Sequence, residues 1–191
     1  MLSVMEQRTY YLLTLLLPHR LTLETYRFRD SLWQASGNLS TKTLPPCIPL
    51  LPMGQAEPIP ENIAWKGDSL TVSTDVTISG RAFLLPLVPG KPVQELRSRL
   101  EKRLERPSYD AEAGELFGIP SMDMDTGIYL SSNDASILRR LQTATETCLP
   151  PFDDARLALL RCVPMQEGTL EQGALWEILE QKHLVAESPR N

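Results

Sequence analysis

The chain has 191 residues, 42% hydrophobic and 23% charged, the balance of one ordinary folded domain rather than of a disordered or fibrous chain. Nineteen Lys and Arg against 24 Asp and Glu leave a net charge of -5, which argues against a general nucleic-acid binder. Sixteen prolines argue against a pure helix bundle, and two histidines restrict the imidazole chemistry available.

Tyr10 to Leu17 is a continuous apolar run preceded by Glu6 and followed by Pro18-His19-Arg20. It is far short of the ~20 residues of a membrane span and shows no small-residue cleavage site, so it reads as a buried first strand of a cytoplasmic protein. Leu21, Thr25, Phe28, Leu32 and Ala35 recur at helical spacing and end at Gly37-Asn38, where a left-handed cap is easy. Leu44 to Met53 is apolar but broken by prolines, which predicts an edge strand or irregular extended chain, and 54–62 reads as a loop. Leu70 to Ile78 and Ala82 to Val88, separated by Ser79-Gly80, predict a hairpin. Val93, Leu96, Leu100 and Leu104 draw one apolar stripe, with Glu95, Arg97, Arg99, Glu101, Lys102 and Arg103 as a solvated opposite face.

Residues 107–126 are aperiodic and read as a long surface loop, a candidate flap. Gly127 to Ser131 follows as a short strand, and Ser132-Asn133-Asp134 caps a third helix marked by Ile137, Leu141, Ala144 and Cys148. Arg139-Arg140 lies on that helix, where a solvated face is the commoner role for such a pair. Ala155 to Val163 reads as a strand, whereas Leu170 to Val185 suits a helix by Leu170, Ala174 and Ile178 and a strand by Trp176 and Ile178 alternating with glutamates.

Cys47, Cys148 and Cys162 are widely spaced, which indicates neither a disulfide framework nor a zinc site. Asp123-Met124-Asp125-Thr126-Gly127 lacks the further ligands of a calcium loop. No glycine-rich phosphate loop and no Ser-His-Asp order appears, so neither cofactor nor metal is expected.

The order strand, helix, strand occurs twice: Leu15-Leu16-Leu17-Pro18, a helix, then Cys47-Ile48-Pro49-Leu50; and Leu87-Val88-Pro89, a helix, then Gly127-Ile128-Tyr129-Leu130. With Tyr10-Tyr11-Leu12-Leu13-Thr14-Leu15 and the ending Leu157-Ala158-Leu159-Leu160-Arg161, this order resembles the two-histidine phosphoesterases, which include RNA 2′,3′-cyclic phosphodiesterases and 2′-5′ RNA ligases. The resemblance implies a single α+β domain over 1–191, built as two lobes of antiparallel sheet with flanking helices about a central groove. It also favours a strand for part of 174–185. Each lobe of the family carries a His-x-Thr/Ser motif, and the two histidines exchange the roles of acid and base.

The matching positions here hold other groups. Cys47 stands for the first histidine and Pro49 for its hydroxyl residue, Gly127 for the second histidine and Tyr129 for its hydroxyl residue. The expectation is therefore a non-catalytic, monomeric domain, without cofactor or membrane contact. It would bind a nucleotide, an RNA end, another phosphorylated ligand or a protein partner through Cys47, Pro49, Gly127, Tyr129, Ser131 or Ser132. Two alternatives stand beside it: a phosphodiesterase with its chemistry relocated to Cys47, Tyr129 and the aspartates of the 107–126 loop, and an unrelated α+β interaction protein. His19 and His183 are expected on the surface, away from the groove.

Overall fold

The computed structural model describes residues 8–65, 69–73, 75–104, 109–134, 137 and 149–186. The apolar opening run is strand β1 (Tyr10–Leu16), and helix α1 (His19–Ser36) follows directly after Pro18. Gly37 ends that helix in the left-handed region at φ 71, its N–H donating to the Trp33 carbonyl. A four-residue helix, α2 (Ser40–Thr43), leads into strand β2 (Cys47–Met53). β2 pairs antiparallel with β1 and lies at the edge of its sheet, which is where a strand containing Pro49 and Pro52 is tolerated.

Two short strands, β3 (Ala64–Trp65) and β4 (Thr71–Val72), precede the predicted hairpin of β5 (Thr77–Ser79) and β6 (Ala82–Val88). Helix α3 (Lys91–Arg103) buries Val93, Leu96 and Leu100 as its stripe requires, but it also buries Arg97. That corrects the solvated role read for Arg97: Nη1 donates to the carbonyls of Met122 and Met124 at 2.9 and 2.7 Å.

The 107–126 stretch is likewise corrected, because it contains helix α4 (Ala111–Phe117) with Ala113, Leu116 and Phe117 buried. Asp110 caps this helix by accepting from the Ala113 N–H at 2.9 Å, and Gly118 closes it at φ 79. Strand β7 (Gly127–Ser132) then pairs antiparallel with β6. The predicted third helix lies outside the described residues apart from Ile137, which is buried.

Strands β8 (Arg156–Gln166) and β9 (Thr169–His183) form a long antiparallel hairpin, so the tail is strand rather than helix. Gly173, at φ 94, is incompatible with a continuous helix there. A two-residue strand, β10 (Val185–Ala186), pairs in parallel with β3.

The result is an α+β fold with two antiparallel sheets. One has the order β2-β1-β8-β9; in the other, β6 pairs with β7 on one side and with β4 and β5 on the other. The repeated order is realised as β1-α1-β2 and β6-α3-β7, each an antiparallel pair joined through a helix. Both pairs carry a register irregularity, opposite Leu13/Thr14 and opposite Phe83/Leu84, where the second strand holds one extra residue, Leu50 and Leu130 respectively.

Alternation assigns each strand two buried faces. Leu13, Leu15, Ile48, Phe83, Leu85, Ile128, Leu157 and Leu159 join the stripes of α1 and α3 in one apolar cluster. Tyr10, Leu12, Leu16, Cys47, Ala82, Leu84, Tyr129, Ala158, Leu160 and Cys162 form the other. Among the described residues, no helix is long and apolar enough to cross a membrane.

Candidate functional site

The second cluster is where the two motif strands meet. β2 and β7 adjoin: the Thr126 hydroxyl, just before β7, donates to the Pro49 carbonyl at 2.9 Å inside the protein. Cys47 and Tyr129 share one apolar cluster. They do so with both side chains at 0% exposure, and Pro49, Gly127 and Ser131 are buried as well.

Two short helices fill the space between the sheets. α4 packs against β2, β6 and β7, placing Ala113, Leu116 and Phe117 into the same cluster as Cys47 and Tyr129. The Tyr10 hydroxyl holds it by donating to Glu112 at 2.6 Å, while Arg8 pairs with Glu112 and, at 2.7 Å, with Asp110. Gly114 of α4 leaves room for the Tyr109 hydroxyl, which donates to the Ile119 carbonyl at 2.7 Å. α2 packs against β7, β9 and α1 from the other side.

Gly127, which the resemblance sets at a histidine position, fills a place where a side chain would meet backbone. A Cβ there would collide with the Leu85 carbonyl across the β6–β7 pairing. The close approach of two backbones explains this glycine.

The electrostatics are those of a core. Burial pushes the Cys47 thiol up to about 11, against the opposing influence of Thr14 and Arg29, and burial pushes Cys162 up to about 12. Burial likewise raises the Tyr129 hydroxyl, although the Arg29 charge opposes the shift. Near neutral pH both thiols and the phenol are therefore protonated, and Cys47 offers no thiolate nucleophile.

Sequence reading missed Arg29, which sits within the apolar stripe of α1 and is 0% exposed. Its guanidinium carbon lies 5.9 Å from the centre of the Tyr129 ring, and Nη2 donates to the Ser40 carbonyl at a long 3.4 Å. Nε and Nη1, and the Ser131 hydroxyl, have no hydrogen-bond partner among the described residues. A buried chain joins Asn38 and Ser40, which the sequence reading missed, to Ser132, which it named. The Ser132 N–H and hydroxyl both donate to the Ser40 hydroxyl, at 2.8 and 2.9 Å, and that hydroxyl donates to the Asn38 side-chain oxygen at 2.6 Å. A charge at an apolar stripe position was the available signal for Arg29; nothing in the spacing marks Asn38 or Ser40.

An open cleft of ≈ 280 Å³ adjoins Gly127, between Thr77, Ser79, Leu84 and Pro86. Its charged lining residue is Asp125, which opposes an anionic ligand. His19 and His183 are both exposed and neither belongs to the inter-sheet cluster.

No family model and no curated protein matches the chain. Among solved structures it is similar to one described as "Crystal structure of phosphoesterase", at 14% identity over 94% of this chain and 99% of that one, with a TM-score of 0.51. At that identity the likeness concerns the fold alone. Two antiparallel sheets, the doubled strand-helix-strand order and this likeness together give the chain a phosphoesterase-like α+β fold.

Proposed function

We propose that this chain is a non-catalytic phosphoesterase-like domain of the two-histidine type, in which the layer used for catalysis has become core. Its work is recognition of a phosphorylated small molecule or a protein partner, not hydrolysis. The observation that carries this reading is the complete burial of Cys47 and Tyr129 at the matching positions, beneath α4 and beside Arg29. A general base or nucleophile must reach the substrate, and must hold the right protonation state at the working pH. A sealed thiol raised to about 11 meets neither condition. Gly127 supports the same reading from the second motif, since its neighbours leave no volume for an imidazole.

Hydrolysis of a 2′,3′-cyclic nucleotide by the wild-type chain and by Cys47→Ser tests this proposal. Neither protein is expected to exceed the uncatalysed rate. Turnover by the wild type that disappears in Cys47→Ser would assign relocated chemistry to Cys47 and overturn the non-catalytic reading.

A further inference from the structure

The fold brings both histidines of the chain to one cleft, far apart as they are in sequence. His183 closes β9 opposite Arg156, the first residue of β8, and Arg156 in turn lies opposite Leu16 at the end of β1. Two residues beyond Leu16, Pro18 turns the chain into α1, whose first residue is His19. The cleft that results measures ≈ 300 Å³, with His19, His183, Arg156, Thr22 and Asp154 as its polar lining. Leu16, Leu17 and Ala155 supply an apolar floor.

We propose that this cleft binds a small phosphate monoester. Arg156 sets a fixed positive charge against the single carboxylate of Asp154, and the two imidazoles add ring nitrogens that can donate to an anion. The positive end of an 18-residue helix opens into it: Pro18 provides no side-chain cap, and the first turn contains no acidic residue. That turn instead begins His19-Arg20, so a guanidinium and an imidazole stand at the helix end where positive charge is least favoured. A bound dianion changes the sign of that interaction, because the helix end, the guanidinium and the imidazole donors then face a negative charge. The volume is of the order that small organic ligands occupy, and the apolar floor suits the organic part of a monoester rather than a bare ion. Arg156 is half engaged, donating to the Gln181 side chain at 3.2 Å, which fixes its position at the rim. This cleft lies outside the inter-sheet core, so the inference holds or fails independently of the non-catalytic reading.

Because the chain has only two histidines, their imidazole resonances report on this cleft without further assignment. The experiment titrates the full chain with adenosine 5′-monophosphate and, separately, with inorganic phosphate, at constant ionic strength held with chloride. Both imidazole signals are expected to shift together and saturably as the site is filled. The monoester is expected to bind more tightly than inorganic phosphate. Arg156→Ala changes an exposed residue at a strand end and is expected to weaken monoester binding at least about tenfold, as loss of a charge-assisted hydrogen bond implies. No saturable shift, or a shift unchanged in Arg156→Ala, would overturn the site. Equal affinity for the two probes would overturn the monoester assignment.

Discussion

Replacing Arg29 with methionine is expected to stabilise the protein. Burial pulls the Arg29 guanidinium below its ordinary pKa, with Cys47 and Tyr129 partly opposing, and no carboxylate pairs with it among the hydrogen bonds and ion pairs of the described residues. Removing such a cation from water costs several kcal/mol even after relaxation and water penetration. The favourable contacts are weak by comparison. A hydrogen bond stretched to 3.4 Å contributes at most about 1 kcal/mol, and a cation at the outer limit of ring attraction adds about 0.5–2 kcal/mol. Methionine removes the charge and both unpartnered nitrogens, and its flexible thioether fills most of the volume. The balance is a gain of about 2 kcal/mol, within the ~1–4 kcal/mol range found when buried ion pairs give way to well-packed apolar residues. For a chain of this length that gain corresponds to a rise in Tm of roughly 4–8 °C, read by thermal and urea denaturation. A loss of more than about 1 kcal/mol in Arg29→Met would refute the reasoning, because the guanidinium would then be making a strongly favourable interaction in the sealed layer.

Gly127 supplies a second test. Gly127→Ala forces a Cβ against the Leu85 carbonyl and should cost about 1–3 kcal/mol of stability in urea denaturation. For the same reason, installing histidines together at 47 and 127 should yield a destabilised protein without cyclic-nucleotide hydrolysis; recovery of turnover would show that the second position accepts a side chain. Glu180 gives the pH dependence. Burial raises its carboxyl, but the Ile59 N–H at 2.9 Å and Lys182 at 3.0 Å outweigh that and hold it below 4.5. A carboxyl depressed in the folded state contributes stability that is present above its unfolded value and is lost as the pH falls through its folded value. Glu180→Gln should therefore be less stable than wild type near neutral pH, with the difference shrinking below about pH 4.5 in urea titrations at several pH values.

Much of the fold is legible in the sequence where local pattern and tertiary role agree. The Tyr10–Leu16 run, the α1 stripe from Leu21 to Leu32 with its Gly37 cap, and the hairpin about Gly80 appear as read, whereas Ala35, read as the last stripe residue, is exposed. α4 escaped because seven residues give too little periodicity to compete with Gly114 and Gly118, although Asp110 carried a capping signal. The tail escaped resolution because much of β9 is exposed and its apolar residues satisfy either period, so only Gly173 and the pairing with β8 decide. Arg29 and Arg97 show the converse limit. Each sits beside an apolar stripe, and whether such a charge is solvated or swallowed depends on what packs across it. The convergence of His19 and His183 rests wholly on the registers of β1, β8 and β9, which no spacing in the sequence encodes.

Labelling Cys47 with a thiol reagent across a urea series tests most directly whether the layer between the sheets, proposed to correspond to a catalytic groove, is sealed core. Mass spectrometry separates Cys47 from Cys148 and Cys162. Cys47 is expected to stay unlabelled in native buffer and to become labelled only in step with global unfolding followed by circular dichroism. Rapid, complete labelling of Cys47 in the native protein would contradict the sealed core and reopen the groove to chemistry.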